Sequence, residues 1–407
     1  MLKKQAAAVL AMVVFATSVP PCQGTHPPGW VIVQLTNNSS VDGYPQVSGS
    51  NVVWEGSGEI FFYDGTSTTQ LTNNGFSNQI PQISGTKGAW QGSSEIFFYD
   101  GATTIQLTEN SYRDARPQIF GSNVVWQGRA DDDWEIFFYD GTTVSQLTDN
   151  SYDDTYPQVS GSNVVWKGYP DSNPEIFFYD GTVTTQLTDN SYTDSYPQIC
   201  DCNVVWQGQV AGGENDYEIF FYDGATTTQI TDNNENDIYP QISGCNVVWQ
   251  GQIGGIESDY EIFFYDGTMT TQITDNNESD INPQISGRNV VWQGQVGGSQ
   301  SDYEIFFYDG TTTTQLTNNT CSNQIPQISG RNVAWDHNNG FEKEIFFASF
   351  SECVNPPTTD ADGDCRVDVI DLLAFASTWL DTAALADFAL LSSEWLTCGR
   401  DDPNACW

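Results

Sequence analysis

Apolar residues along this chain come in short runs of Val, Ile, Phe, Tyr and Thr, separated by polar and glycine-containing breaks. One phrase recurs, PQISG, NVVWQG, EIFFYDG, TTTQLTDN, and its Pro-Gln opening falls at Pro45, Pro81, Pro117, Pro157, Pro197, Pro240, Pro283 and Pro326. Each unit holds four runs divided by Ser-Gly, a variable loop, Asp-Gly and an Asn/Asp-rich loop, the punctuation of four antiparallel strands, here A to D. The Asp-Gly pair between EIFFY and TTTQLT predicts a tight hairpin, with both central residues at positive φ.

The eighth unit stops at EIFFASF, Glu344 to Phe350, without a D strand, while WVIVQLTNN, Trp30 to Asn38, is a D strand without a unit. The two fragments complete one another. A linear solenoid has no reason to divide one repeat between its ends, whereas a circular array gains closure and loses its exposed sheet edges. The expectation for residues 28–350 is therefore an all-β, eight-bladed β-propeller closed by an N-terminal strand. From Asp360 onward, DADGDCRVDVIDLLAFASTWL and LADFALLSSEWL change to a helical period, so residues 351–407 are expected to form a small α-helical domain.

Composition narrows the function. With 53 acidic against 12 basic residues and a formal charge of −41, the chain has little to neutralise a phosphate backbone, which argues against nucleic acid and for cations or uncharged ligands. Aromatic residues at 13% speak against disorder. Lys3, Lys4, the apolar run Ala6–Ala16 and small residues at Ala16 and Ser18 predict a signal peptide over residues 1–24, hence a secreted protein. No later stretch reaches the apolar length of a membrane span.

Because strands alternate in direction, A–B and C–D turns emerge on one face, and B–C and D–A loops on the other. The second set is longer and more variable, and binding residues usually sit on such loops. That face carries carboxylates beside aromatic rings, and Asp132, Trp134, Tyr217, Asp237, Tyr260, Asp280 and Tyr303 are the candidate ligand-binding residues for a carbohydrate or protein ligand. Residues constant in every unit are assigned to structure: Trp54, Trp90, Trp126, Trp166, Trp206, Trp249, Trp292 and Trp335 to packing between blades, and the glutamates before IFF, from Glu59 to Glu344, to a hydrogen-bonding ring. Gln46 and its equivalents are expected to line a polar channel.

Catalytic motifs are scarce. His26 and His337 have no evident partner, and no phosphate loop, zinc spacing or Gly-x-Ser-x-Gly elbow occurs. A carboxylate pair on a propeller leaves open a polysaccharide-degrading glycosidase or lyase, and a structural surface-layer component is a further alternative. The strongest chemical signal lies near the C-terminus. Asp360, Asp362, Asp364, the Arg366 carbonyl, Asp368 and Asp371 occupy positions one, three, five, seven, nine and twelve of a calcium loop, so Ca2+ is the expected cofactor.

The blade phrase, Pro-x-Ile-Ser-Gly, Val-x-Trp, an acidic residue before Ile-Phe, then Leu-Thr, resembles TolB-type propeller repeats of bacterial and archaeal surface proteins. The Asp-x-Asp-Gly-Asp opening, Asp371 at position twelve and the Leu-rich helix resemble a type I dockerin, as on secreted planctomycete proteins. That likeness implies docking to a cohesin-like or cell-surface partner. The sequence thus predicts a secreted, non-enzymatic binding or scaffolding protein with a calcium-ordered tail.

Overall fold

A computed structural model describes residues 27–210, 216–254, 259–297 and 302–350. The predicted signal peptide, the calcium loop and the dockerin-like domain lie outside these residues. The fold described is an all-β, eight-bladed propeller of four-stranded antiparallel sheets. Blade 6 is representative: strand A is Asp237–Ser243, B is Asn246–Gln252, C is Tyr260–Tyr265 and D is Thr270–Gln272. A strands of neighbouring blades touch one another, so they are innermost. Among the described residues no helix is long and apolar enough to cross a membrane.

The compact unit comprises Gln34–Thr314 and Cys321–Phe347. The eighth sheet has the strand order Trp30–Gln34, Lys343–Phe350, Asn332–Asn338, Ser322–Ser329. Within the unit, Leu35 N donates to Ile345 O at 2.8 Å, Ile345 N to Thr36 Oγ1 at 2.9 Å, and Asn38 N to Glu344 Oε1 at 3.0 Å. Gly49 N donates to Ser329 Oγ at 2.9 Å and Asn332 Nδ2 to Gly49 O at 2.8 Å, joining blade 1 to blade 8. Closure therefore rests on the same kind of bonds that link other neighbouring blades, such as Gly287 N to Ser243 Oγ and Asn246 Nδ2 to Gly287 O, both at 2.8 Å. Outside that unit, Trp30 packs edge-on against Phe350 with ring centroids 5.4 Å apart.

The core sits between blades. Val205, Ile219 and Phe221 of blade 5 pack on Val247 and Trp249 of blade 6, and the same grouping recurs around the ring. The eight blade tryptophans are all fully buried, each stacked on its own blade's C-strand phenylalanine at 5.8–6.1 Å. They fill blade junctions and present no ring for a sugar. Gly251, beside this pair, has no room for a side chain, since a Cβ there would meet Asp237 Oδ1 at 2.5 Å and Phe263 Cε2 at 2.8 Å. This explains the glycine two residues after the blade tryptophan in every unit but the last.

A polar string accompanies the apolar one. At the junction of blades 5 and 6, Glu218 Oε1 accepts from Asn233 N at 2.7 Å, Thr231 Oγ1 accepts from Ile219 N at 2.8 Å, and Thr231 also bonds the Glu218 carboxylate. Asn233 Nδ2 donates to Asp237 Oδ2 and Trp249 Nε1 to Asp237 Oδ1, both at 2.7 Å. The repeating glutamates are thus loop anchors, as expected.

Two local expectations change. Asp-Gly does not form a two-residue hairpin: Tyr63 pairs with Thr68, only Gly65 takes positive φ, and Asp64 Oδ1 instead caps the loop by accepting from Thr66 N and Ser67 N at 2.8 and 2.7 Å. An aspartate that can accept two amides gains more as an Asx cap than as a left-handed turn residue. In blade 3 the B–C segment RADDDW, on the face expected to carry long loops, extends the sheet, because Ala130 pairs with Asp133 and Arg129 with Trp134.

Candidate functional site

The residue before Pro-Gln in each A strand adopts a left-handed conformation: Tyr44, Ile80, Arg116, Tyr156, Tyr196, Tyr239, Asn282 and Ile325 all have φ of 53–56°. Register breaks at the same place, between Ala115 and Gln118 in blade 3 for example, which defines a β-bulge. Such backbone is uncommon for residues other than Gly, Asn and Asp, and costly for β-branched Ile80 and Ile325. The strain is held by a side chain from the preceding blade. Gln127 Oε1 accepts from Tyr156 N at 3.0 Å, Gln207 from Tyr239 N at 2.9 Å, Gln250 from Asn282 N at 2.9 Å and Gln293 from Ile325 N at 2.9 Å. The bulges leave large side chains at the surface of the long-loop face: Tyr44, Tyr156, Tyr196 and Tyr239 are 39–59% exposed.

Three consecutive bulge residues, Ile80, Arg116 and Tyr156, line a cleft of about 660 Å3 across blades 2 to 4. Its walls also include Gln91, Arg113, Gln127, Asp133, Trp134, Tyr152, Asp153 and Tyr169. The extended B–C hairpin of blade 3 carries Trp134 to the cleft, and Trp134 N donates to Asp153 Oδ1 at 2.9 Å, fixing that hairpin to the D–A loop. Arg113 and Arg129 lie 5.8 and 5.6 Å from the Trp134 ring centre, Arg116 lies 4.2 Å from that of Tyr156, and Lys167 lies 4.6 and 5.1 Å from those of Tyr156 and Tyr169.

These four cations are half of the eight Lys and Arg among the described residues, the others being Lys87, Arg288, Arg331 and Lys343. None of the four forms an ion pair; Lys343 does, with Asp336 at 3.3 Å. Among the described residues these four cations lie over aromatic rings and pair with no carboxylate, although the cleft lining sets Asp133 and Asp153 beside Arg113 and Arg116.

The structure separates the residues that sequence grouped together. Trp134 lines the cleft, and Asp132 sits in the exposed turn of the same hairpin, its carbonyl accepting from Arg129. Tyr217, Tyr260 and Tyr303 hold the position of Trp134 in blades 5 to 7, opposite Gln209, Gln252 and Gln295. Tyr217 N donates to Asn236 Oδ1 at 3.3 Å, and Gln295 Nε2 to the Tyr303 hydroxyl at 3.0 Å. Asp237 and Asp280 are only 3% and 4% exposed and are taken up by Trp249 and Trp292, so they belong to the blade junctions and leave the candidate face. Burial pushes Asp237 up to about 6 and Asp280 up to about 7. His337 is buried, bonded to Asn323 Oδ1 through Nδ1 at 2.8 Å, and pushed down to about 4 by desolvation, a neutral core imidazole.

Arg113, Arg116, Lys167, Tyr156 and Tyr169 escape the sequence reading because attention there goes to carboxylates. The signal that would have found them is departure from the repeat: Arg116 stands where the other units have Tyr, Ile or Asn before Pro-Gln, and Lys167 replaces the Gln of NVVWQG.

No protein-family model matches the chain, and no curated protein matches it in sequence. Solved structures do share the fold. An oligogalacturonate lyase in complex with manganese superimposes with a TM-score of 0.52 at 11% identity, over 81% of this chain and 96% of that one. A puromycin-hydrolyzing peptidase of Mycobacterium tuberculosis gives 0.51 at 13% identity over 77% of this chain, which spans 61% of that peptidase. A putative TolB from Agrobacterium tumefaciens gives 0.35 at 16% identity, over 51% and 89% of the two chains. The fold is what the lyase and the peptidase have in common with this chain.

Proposed function

We propose that this chain is a secreted, non-catalytic binding protein whose propeller holds a saccharide in the cleft lined by Arg116, Trp134 and Tyr156. The observation that carries the reading is a break in symmetry: among the described residues, a cleft across blades 2 to 4 brings together aromatic rings and cations that form no ion pair. Aromatic rings give a sugar ring its apolar contact, and flanking side-chain groups fix its hydroxyls. A polysaccharide-degrading enzyme would need one distinctive carboxylate pair. The buried Glu and Asp here instead recur junction by junction, engaged with Thr, Asn and Trp.

The tail from Asp360 to Asp371, with Arg366 contributing a carbonyl, is the proposed calcium loop, and the domain over 351–407 the proposed anchor to a cohesin-like or cell-surface partner. A glycan array probed with the full chain, with and without calcium, tests both halves. Glycan binding that Trp134→Ala abolishes, and that survives calcium removal, is the expected result. Wild-type protein that retains no glycan refutes the platform; a full chain that gains no helical circular dichroism on adding calcium refutes the tail.

A further inference from the structure

We infer that the cleft takes an acidic saccharide, one with a carboxylate or sulfate on its ring, bound as a short oligosaccharide or chain end; this rests on the saccharide reading above. Acidic residues outnumber basic ones 53 to 12, so an arginine on this protein has carboxylates in ample supply. Arg113, Arg116, Arg129 and Lys167 nevertheless pair with none and lie over Trp134, Tyr156 and Tyr169 instead. Stacking occupies the flat face of a guanidinium and leaves its in-plane N–H groups available, the fork that binds a carboxylate or sulfate in two places. Arg113 and Arg116 are exposed at the cleft wall, where an incoming anion reaches them. The missing counter-charge is supplied by the ligand.

Size and field limit the ligand further. A cleft of about 660 Å3 accommodates a few sugar units in contact with its walls. The chain's net charge of −41 disfavours a long polyanion, while Arg113 and Arg116 can each pair with a single acidic group.

Isothermal titration calorimetry on the full chain decides the matter with a uronic-acid trisaccharide, its fully methyl-esterified form and a sulfated trisaccharide. The acid should bind on the order of tenfold or more tighter than the ester, and Arg113→Gln or Arg116→Gln should each remove about that factor for the acid alone. Added salt should weaken the acid and spare the ester. Competition by the sulfated sugar means that any ring-borne anion serves, and its failure narrows the ligand to carboxylates; either agrees with the inference. Equal binding of acid and ester, unaltered in both arginine variants, overturns the inference and leaves the saccharide platform standing. No binding of any of the three by wild-type protein overturns both.

Discussion

Blades 5 to 7 and blades 3 and 4 are written in the same repeat, yet they spend its variable positions differently. In blades 5 to 7 the residue after the blade tryptophan is Gln207, Gln250 or Gln293, and each accepts from the bulged residue of the next blade. In blade 4 that residue is Lys167, which has no acceptor to offer and lies over Tyr156 and Tyr169. Opposite the B strand, Gln209, Gln252 and Gln295 face Tyr217, Tyr260 and Tyr303, whereas in blade 3 Arg129 faces Trp134. The interior strings of Trp, Asp, Asn and Glu are common to both regions. A repeat architecture can therefore concentrate chemistry at one place by changing surface positions while the junctions remain as they are.

The largest separation of the two kinds of position should come from paired tryptophan variants. Trp249→Ala empties a buried junction and should lower unfolding free energy by about 3–5 kcal/mol in denaturant titration. Trp134→Ala, on the half-buried rim, should stay within about 0.5 kcal/mol while losing the ligand.

The buried carboxylates make a pH prediction. Burial raises Asp154, Asp280 and Glu218 to about 7 and Asp194 and Asp237 to about 6, above the values of 3.8 and 4.5 they return to on unfolding. Between those limits the folded state binds more protons than the unfolded one, so stability falls as pH rises. Melting temperature by calorimetry should therefore increase as pH is lowered from about 8 toward about 5. The exposed Asx caps act oppositely: hydrogen bonds hold Asp64 and Asp309 down to about 2, so their contribution disappears only as pH falls through that value. A curve flat between pH 8 and 5 would remove the junction carboxylates from this account.

A smaller effect tests the anchor. Thr231→Val removes the hydroxyl bonded to Ile219 N and Glu218, and should cost about 1–3 kcal/mol. Smallest is a gain at the bulge. Ile325→Asn installs the residue that blade 7 uses at position 282, where left-handed backbone suits Asn, and should stabilise by about 1 kcal/mol in the same titration. A loss there would show that Ile325 packs well enough to outweigh its strain.

Much of the fold is legible in the residues. The blade count follows from the Pro-Gln openings, and closure from an unfinished last unit and an orphan first strand, because a sheet edge has to be covered. The tryptophans and the glutamates before IFF are assigned correctly for the same reason: a residue needed in every unit serves what every unit does. The candidate face was identified less well. Asp237 and Asp280 lie in acidic loops and look solvated, but a tryptophan twelve residues later turns back onto each and draws it into the junction.

Periodicity along the chain thus dictates the strands, their number and the ring they close, since each of these depends on which short runs bury together. The cleft depends on something a linear reading does not contain. Arg113 comes from a loop and Trp134, Tyr156 and Lys167 from three different strands of two blades, and they meet because a strained bulge and an extended hairpin carry side chains toward one another. Whether a given carboxylate is a solvated ligand group or a buried strut was likewise decided in three dimensions, by the neighbouring blade that removes it from water.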